Sequence, residues 1–372
     1  MSILQRYVTR EILAPFGITF LVITFLMFVG ELFHQLSDRF MGKGLAIADL
    51  AMLACYVLPS LVIYTIPISL LLATLLAFIQ LSQDSEITAL KAAGVPTRTV
   101  FVPAILIGAV TTLVLLAMWA EVAPWSRRQI SDFIIRTVLA KPTLVLTEQA
   151  WTHAVDDMRI FVGRIEDEQM LLEDINIQIN KEGSPHRMVV AKEGKIRIDP
   201  TKEQIYLQLL DGAIHEYDME KPDQYSTTAF KSLVLPVTIA SLDRYVKRYH
   251  TLQSVRTKEM SLLQILRRFQ DPSVGPRERN ELLGHIGERT ALAFMPLVFV
   301  LIGAPLGIIP HKARRFYGPV ACLGLLLAYY SLLVIGEALS EKQLVNPLLA
   351  MWIPNLLLGA SGVGFMIRAE TL

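Results

Sequence analysis

The sequence predicts an α-helical membrane protein with six transmembrane helices and an inserted all-β domain. Of its 372 residues, 53% are hydrophobic and only 19% are charged, a composition typical of membrane proteins. Six apolar stretches are long enough to cross a hydrocarbon core of about 30 Å, which needs about 20 residues. A polar, strand-like segment from about residue 127 to about residue 288 separates the first three stretches from the last three.

The six stretches are residues 12–32, 50–80, 100–122, 291–309, 318–339 and 347–367. The first follows Arg6 and Arg10 and exceeds the apolar core of a cleaved signal peptide, so we interpret it as a retained span that also targets the chain. The second contains Pro59 and Pro67, which predict a kink or a tilt because proline removes a backbone donor.

Four segments follow from this pattern. Residues 1–126 hold transmembrane helices one to three, and residues 290–372 hold helices four to six. Residues 127–255 form the β domain, and residues 256–289 form membrane-proximal helices.

Short runs in the β segment alternate apolar and polar residues, as strands do. Turn residues at 180–185, Asp199-Pro200 and Asp211-Gly212 separate them. Regularly spaced strands with such breaks predict an antiparallel sandwich or β-jelly roll. The alternation does not reveal a groove, so a packed domain without a ligand is an equal interpretation. The runs are residues 158–165, 175–179, 195–198 and 204–209.

Two helical pieces follow the strands. Residues 261–269 have apolar residues at helical spacing, a second piece at about 277–287 leads into span four, and 271–276 breaks the two. They are expected to lie at the membrane edge. Packing against the strand domain is the simpler alternative.

Six spans place both termini on one side of the membrane, and basic residues in the short connections predict which side is cytoplasmic. One side has eight basic residues and the other has three, so the termini and the 81–99 connection are predicted to be cytoplasmic and the β domain periplasmic. Five arginines that flank the insert oppose this assignment, but long translocated domains are largely exempt from the rule. The eight are Arg6, Arg10, Lys91, Arg98, Lys312, Arg314, Arg315 and Arg368, the three are Arg39, Lys43 and Lys342, and the five are Arg127, Arg128, Arg277, Arg279 and Arg289.

The connection between spans two and three is the most informative short segment. Asp84 is the predicted N-cap of a helix, and Glu86 lies in its first turn, where the helix dipole favours an anion. Lys91 lies near the end, Gly94 suits a left-handed C′ position, and Pro96 prevents continuation.

Ile87 and Leu90 share one face of this short helix, which is therefore amphipathic. It is either a solvated turn or a coupling helix that docks into a groove of a cytoplasmic partner. In the second case Glu86 would pair with a basic residue of that partner. The candidate coupling residues are Asp84, Glu86, Ile87, Leu90, Lys91 and Gly94.

Ionisable residues at the end of span one need an explanation, because charge in hydrocarbon is costly. They are either interfacial anchors or the lining of a route for an amphiphile with a charged head. In the second case Arg39 and Lys43 would meet phosphates through charge-assisted hydrogen bonds. The candidate lipid-binding residues are Glu31, Phe33, His34, Arg39 and Lys43.

Signatures of catalysis are not found in the sequence. It has no phosphate-binding G-x-x-x-x-G-K-[ST] loop, no metal-type Cys/His spacing and no nucleophile elbow. Cys55 and Cys322 lie in apolar runs and are expected to be packed thiols without a disulfide. The net charge of +1 does not favour nucleic acid. We expect a non-enzymatic chain without a metal or cofactor, so any ATP would be hydrolysed by another chain.

Four segments together resemble the lipopolysaccharide-export permease family LptF/LptG, also called YjgP/YjgQ. The resemblance covers essentially the whole chain, and the Ser-Glu-Ile-Thr and Pro-Trp-Ser sequences are closer to the LptF branch. The segments are Arg6-Tyr7 with Arg10-Glu11, residues 84–94, residues 118–126 and residues 303–307.

The resemblance implies a permease subunit that extracts lipopolysaccharide from the outer leaflet of the bacterial inner membrane. Two homologous subunits, LptF-like and LptG-like, would enclose a V-shaped cavity, and lipid would enter between span one of one subunit and span five of the other. An LptB-like ATPase dimer would bind ATP and Mg and contact the coupling helices, with Glu86 matching the family's glutamate. The β-jelly roll would continue into a bridge of LptC-like and LptA-like proteins.

Family members often place basic residues late in span one to hold lipid A phosphates. Here Glu31 and His34 occupy that stretch, and the cations Arg39 and Lys43 come later. The partner subunit is therefore expected to supply most of the positive charge. The alternative hypothesis is a non-transporting adaptor that transmits ATPase motion to a periplasmic partner.

Overall fold

The computed structural model describes residues 3–39, 47–140, 148–149, 151–153, 158–166, 171–179, 186–199, 204–217, 225–236, 259–308, 317–342 and 345–371. Six of its helices are long and apolar enough to cross a membrane, which confirms the predicted spans. The chain forms two compact units. One comprises Met1–Phe33, Ala51–Arg128 and Thr257–Leu372, and the other comprises His34–Leu50 and Gln129–Arg256.

The helices extend beyond the apolar stretches, because backbone hydrogen bonding continues into polar residues once a helix is formed. A π-helical turn, Met118–Val122, joins the third span to the helix that follows it. The helices are α1 (Ile3–Arg39), α2 (Ile47–Gln83), α3 (Glu86–Ala92), α4 (Thr97–Ala117), α5 (Ala123–Ala140), α6 (Leu262–Gln270), α7 (Pro276–Ile308), α8 (Tyr317–Glu341) and α9 (Pro347–Thr371).

Glycines allow α7, α8 and α9 to approach one another closely. A Cβ added at Gly362 of α9 would lie 2.8 Å from the backbone of Leu301 in α7, and one at Gly287 of α7 would lie 3.1 Å from Leu348 in α9. Lipid tails are as apolar as leucine, so helices in a membrane associate through such close packing rather than through a hydrophobic driving force.

The inserted unit contains a six-stranded antiparallel sheet whose order follows the chain from β1 to β6. This confirms the predicted inserted β domain, and each of the four predicted strand runs lies inside a strand. The strands are β1 (Trp151–His153), β2 (Met158–Glu166), β3 (Leu171–Ile179), β4 (His186–Asp199), β5 (Gln204–Tyr217) and β6 (Tyr225–Pro236).

Apolar residues from five strands form one continuous core in this sheet. The alternation predicted from the sequence is visible in β3, where Leu172, Ile175 and Ile177 are buried. Neighbours in the described sheet are also neighbours in sequence, as in a meander. A jelly roll is defined by Greek-key connections, so that finer topology stays a prediction.

The predicted turn at Asp211-Gly212 is wrong, because both residues lie inside β5. Pairing with β4 and with β6 skips Asp211, whose φ is 47°. Asp174 in β3 has a φ of 52° and is likewise skipped by both of its neighbouring strands. Aspartate and glycine tolerate the left-handed region. Here the left-handed residues form local irregularities inside strands rather than a turn.

Candidate functional site

The connection between spans two and three folds into the short helix α3, but its start differs from the prediction. Asp84 is not the N-cap: its amide donates to Gln80 O at 2.9 Å, in the last turn of α2. The chain reverses at Ser85, which is the N-cap in a left-handed conformation with φ 60° and makes no side-chain cap bond. Because α2 continues through Gln83, Asp84 belongs to the end of that helix and Ser85 takes the N-cap position of α3.

The end of α3 agrees with the prediction. Gly94 has φ 78°, its amide donates to Lys91 O at 3.0 Å, and the Val95 amide donates to Leu90 O at 3.0 Å. This pair of bonds is a Schellman motif, which satisfies the final carbonyls of the helix. Pro96 then stands at the N-cap of α4 with φ −68°.

α3 has one packed face and one open face. Ile87 is buried and Leu90 is half-buried, in a cluster that includes Phe78 of α2 and Phe101 of α4. Ile87 and Leu90 therefore share the packed face of α3, as predicted. The open face consists of small residues, namely Thr88, Ala89 and Ala92.

Two side-chain hydrogen bonds fasten α3 to the first and last helices. The Tyr7 hydroxyl of α1 donates to Glu86 Oε1 at 2.8 Å. The Lys91 ammonium donates to the carbonyl oxygen of Ala369, near the end of α9, at 2.9 Å. A cation is favoured there because the last carbonyls of a helix carry partial negative charge. Both bonds join residues far apart in sequence, so the pattern around α3 could not predict them.

The candidate lipid-binding residues lie late in α1 and beyond it. The Phe33 side chain is 70% exposed, and Glu31 is half-buried. His34 and Arg39 belong to α1, but their side chains lie outside the described part of the chain, as does Lys43 altogether. Their role in lipid binding stays a prediction.

Two of the arginines that flank the insert hold α6 in place, at the ends of the spans opposite to α3. Arg128 donates to Glu259 O at 2.8 Å and to Gln264 Oε1 at 2.6 Å. Arg289 is buried and donates to Met260 O at 2.6 Å. These internal contacts supply a structural reason for basic residues that the charge count left unexplained. No sequence signal predicts them, since they depend on α6 lying between the ends of two spans.

The spans differ sharply in how much of their surface the chain itself covers. In the most apolar window of each span, 72% of the residues are buried in span four and 61% in span two. The corresponding values are 6% for span one and 17% for span five. Spans one and five therefore present long apolar faces, with Phe25 and Leu327 among the exposed side chains.

Comparisons with known proteins agree with this architecture. The sequence model of the family described as "Lipopolysaccharide export system permease LptF/LptG" matches residues 6–368. The lipopolysaccharide export system permease protein LptF of Escherichia coli K12 is 24% identical over 364 residues, which cover 95% of this chain and 92% of that protein. The LptF proteins of Escherichia coli O157:H7 and Shigella flexneri are similar to the same extent. The chain, a multi-pass membrane protein with an inserted β domain, therefore belongs to the LptF/LptG family of lipopolysaccharide export permeases.

Proposed function

We propose that this chain is a permease subunit of an ABC transporter that extracts lipopolysaccharide from the outer leaflet of the bacterial inner membrane. A partner ATPase would bind ATP and Mg and drive the cycle, and the lipid would pass to a periplasmic bridge. Membership in the family over residues 6–368 supports the class of cargo. The chain's own task in this proposal is mechanical rather than catalytic.

The exposed faces of spans one and five support pairing with a second, LptG-like permease subunit. An exposed apolar span fits either lipid or another helix, and these two spans are the least covered of the six. Lipopolysaccharide would enter between span one of one subunit and span five of the other. Phe33, exposed near the end of the first span's apolar stretch, is well placed to contact acyl chains.

The bond between Tyr7 and Glu86 is the observation that carries the coupling proposal. An LptB-like ATPase that moves α3 would pull on α1 through this bond and on α9 through Lys91. The small side chains on the open face of α3 let a groove approach the helix backbone closely, and Glu86 at the edge of that face would meet a basic residue of the ATPase.

The proposed orientation places α3 and both termini in the cytoplasm and the β domain in the periplasm. The excess of basic residues in the short connections on the α3 side supports it. The β domain would then extend towards LptC-like and LptA-like proteins that continue the bridge.

Replacement of Glu86 by alanine or arginine tests the coupling role. We expect both variants to lose assembly with the ATPase or ATP-driven release of lipopolysaccharide from proteoliposomes, with Glu86→Arg the more severe because it repels a basic partner. Tyr7→Phe is the matched comparison, since it removes the internal bond and keeps the carboxylate. Normal assembly and normal release in both Glu86 variants would show that α3 is not the coupling element.

A further inference from the structure

Helix α6 is a rigid amphipathic helix held at the ends of two membrane spans. A capping box starts it: the Gln264 amide donates to Ser261 Oγ at 3.3 Å, and the Ser261 amide donates to Gln264 Oε1 at 3.0 Å. Reciprocal caps of this kind satisfy two otherwise unpaired amides. The helix therefore has a defined start at Leu262.

The C-terminal end of α6 is fixed as well. The carboxylate of Asp271 accepts hydrogen bonds from the Ser273 amide at 2.9 Å and from the Ser273 hydroxyl at 2.7 Å. These bonds, and to a smaller extent the charge of Arg268, hold the pKa of Asp271 below its usual range. Arg268 also bonds Glu278 at 3.1 Å, which ties the end of α6 to the start of α7.

The depth of α6 relative to the membrane follows from its contacts with α7. Met260, just before α6, accepts its bond from Arg289, and the apolar part of α7 begins at Ala291. Ile265 of α6 packs in a small cluster with Leu282 and Ile286 of α7. At 1.5 Å per residue, Arg289, Ile286 and Leu282 lie about 3, 8 and 14 Å from Ala291 along the helix, so the contacts of α6 with α7 begin within a headgroup layer of about 5–8 Å.

Tryptophans mark the same boundary independently. Trp352 of α9 donates from its indole nitrogen to Thr290 Oγ1 at 3.1 Å, and Trp125 lies three residues before the Arg128 that holds α6. Tryptophan is enriched where a membrane protein crosses from hydrocarbon to water.

Among the residues that the structure describes, only about half of the apolar arc of α6 has packing partners. Ile265 and Phe269 face the cluster with α7, whereas Leu263 is 61% exposed and Leu266 is 43% exposed. At 100° per residue these two leucines continue the same arc, with the exposed Gln270 between them, and the exposed Arg267 follows at its edge. An arc of this composition, apolar residues bordered by arginine, is what an interfacial helix presents to anionic lipid.

We propose that α6 lies in the headgroup layer of the membrane, at the span ends where Arg128 and Arg289 hold it, and binds anionic lipid. Leu263 and Leu266 enter the boundary with the acyl chains, and Arg267 contacts acidic headgroups. The proposal depends neither on the cargo nor on the ATPase. It gives the segment that leads into span four a lipid contact in addition to the spans themselves.

Spin-label accessibility tests the depth of this helix in the full-length chain, reconstituted in nanodiscs of phosphatidylethanolamine and phosphatidylglycerol. Labels are placed at Leu263→Cys and Leu266→Cys, in a background with Cys55→Ala and Cys322→Ala. Glu281→Cys, exposed on the charged part of α7, provides an aqueous reference, and Leu327→Cys, exposed in mid-span five, provides a hydrocarbon reference.

The expected result is that the Leu263 and Leu266 labels collide with oxygen more than with a water-soluble nickel complex, at a depth between the two references. If these labels are as accessible to nickel as the Glu281 label, α6 faces water and the proposal is wrong. If neither oxygen nor nickel reaches them, protein covers the face, and the lipid assignment is equally wrong.

Lipid charge is tested with Arg267→Gln in the Leu263-labelled chain, with Arg277→Gln as an exposed control of the same type. Arg267→Gln is expected to make the label shallower in anionic nanodiscs, as is replacing phosphatidylglycerol by phosphatidylcholine in the parent chain. Arg277→Gln is expected to leave the depth unchanged. Equal depths for the Arg267 variant and its parent in anionic lipid would overturn the role of the arginine.

Discussion

Spans two and four are enclosed by the rest of the chain, whereas spans one and five are exposed along most of their length. In span four 72% of the residues of the most apolar window are buried, against 6% in span one. Both spans are strongly apolar, so composition alone does not distinguish them. In a membrane protein, an apolar residue can face lipid, a partner or the interior at similar cost.

Polar contacts and small residues mark the enclosed spans instead. Gly303 and Gly307 of α7 lie against Leu71 and Phe78 of α2, and Asn355 of α9 donates to Ala291 O at 2.8 Å. A buried amide needs such a partner because it has no water to bond. The difference between the two groups suggests that the enclosed spans form a scaffold and that the exposed spans are the surfaces on which function depends.

The largest expected effect comes from removing a buried aromatic side chain of the scaffold. Phe299 of α7 is fully buried and its ring meets Tyr329 edge to face at 5.4 Å. Phe299→Ala should lower the stability of the isolated chain by about 3 kcal/mol through the cavity it leaves. Thermal unfolding in detergent measures this as a lower Tm.

Phe25→Ala is the matched control, because Phe25 of α1 is 64% exposed. It should leave the Tm of the isolated chain unchanged and weaken pairing with a second permease subunit. Equal losses of Tm in the two variants would remove the distinction between scaffold and exposed spans.

A smaller effect is expected from a single added methyl group between α7 and α9. Gly362→Ala brings a Cβ to within 2.8 Å of the Leu301 backbone and should cost about 1–3 kcal/mol, as overpacking does. Gly364 lies two residues away on the same helix and has open space around it. Gly364→Ala should therefore be neutral in the same Tm measurement, and a loss there as large as at Gly362 would contradict the packing assigned to α9.

Tyr7 ties an exposed span, span one, to α3. Tyr7→Phe removes one hydrogen bond to a carboxylate, worth about 1 kcal/mol at this exposed position. Amide hydrogen exchange in α3 should become about fivefold faster, while exchange in α7 stays the same. Unchanged exchange in α3 would mean that the bond does not hold α3 to span one.

The smallest expected effect concerns the turn after α6, which belongs to neither group of spans. Because its carboxylate has a lowered pKa in the folded chain, Asp271 stabilises this turn above its ordinary pKa of about 4, and the stabilisation is lost as the pH falls through the lowered value. Asp271→Asn should speed amide exchange at Ser273 at neutral pH and leave Tm unchanged. Identical exchange in the two proteins at neutral pH would contradict this role.

The six spans and the β insertion could be predicted because each depends on a local pattern, namely apolar length or alternation. The end of α3 could be predicted for the same reason, since Gly94 and Pro96 act within one turn. The start could not: whether Asp84 or Ser85 caps the helix depends on where α2 stops. The turn predicted at Asp211-Gly212 was wrong for a related reason. Aspartate and glycine adopt left-handed backbone conformations both in turns and at irregular positions inside strands, so the dipeptide alone does not distinguish the two.

The contacts proposed to give α3 a mechanical role could not be predicted, because they join residues far apart in the sequence. Tyr7 meets Glu86 and Lys91 meets Ala369 only after the three helices α1, α3 and α9 have packed. Neither pair has a spacing that a helix or a hairpin would bring together. The residues that could be named from the sequence are therefore those of α3 itself, and its partners within the chain required the structure.

Photocrosslinking from Phe33 tests the central claim most directly. A photoreactive amino acid at this exposed position of span one is irradiated in cells that are exporting lipopolysaccharide, with Leu113, an exposed position of span three, as the control. Export through this chain predicts adducts with lipopolysaccharide from Phe33 that depend on a functional ATPase, and none from Leu113. Adducts with protein alone would contradict export and would favour an adaptor that transmits motion without carrying lipid.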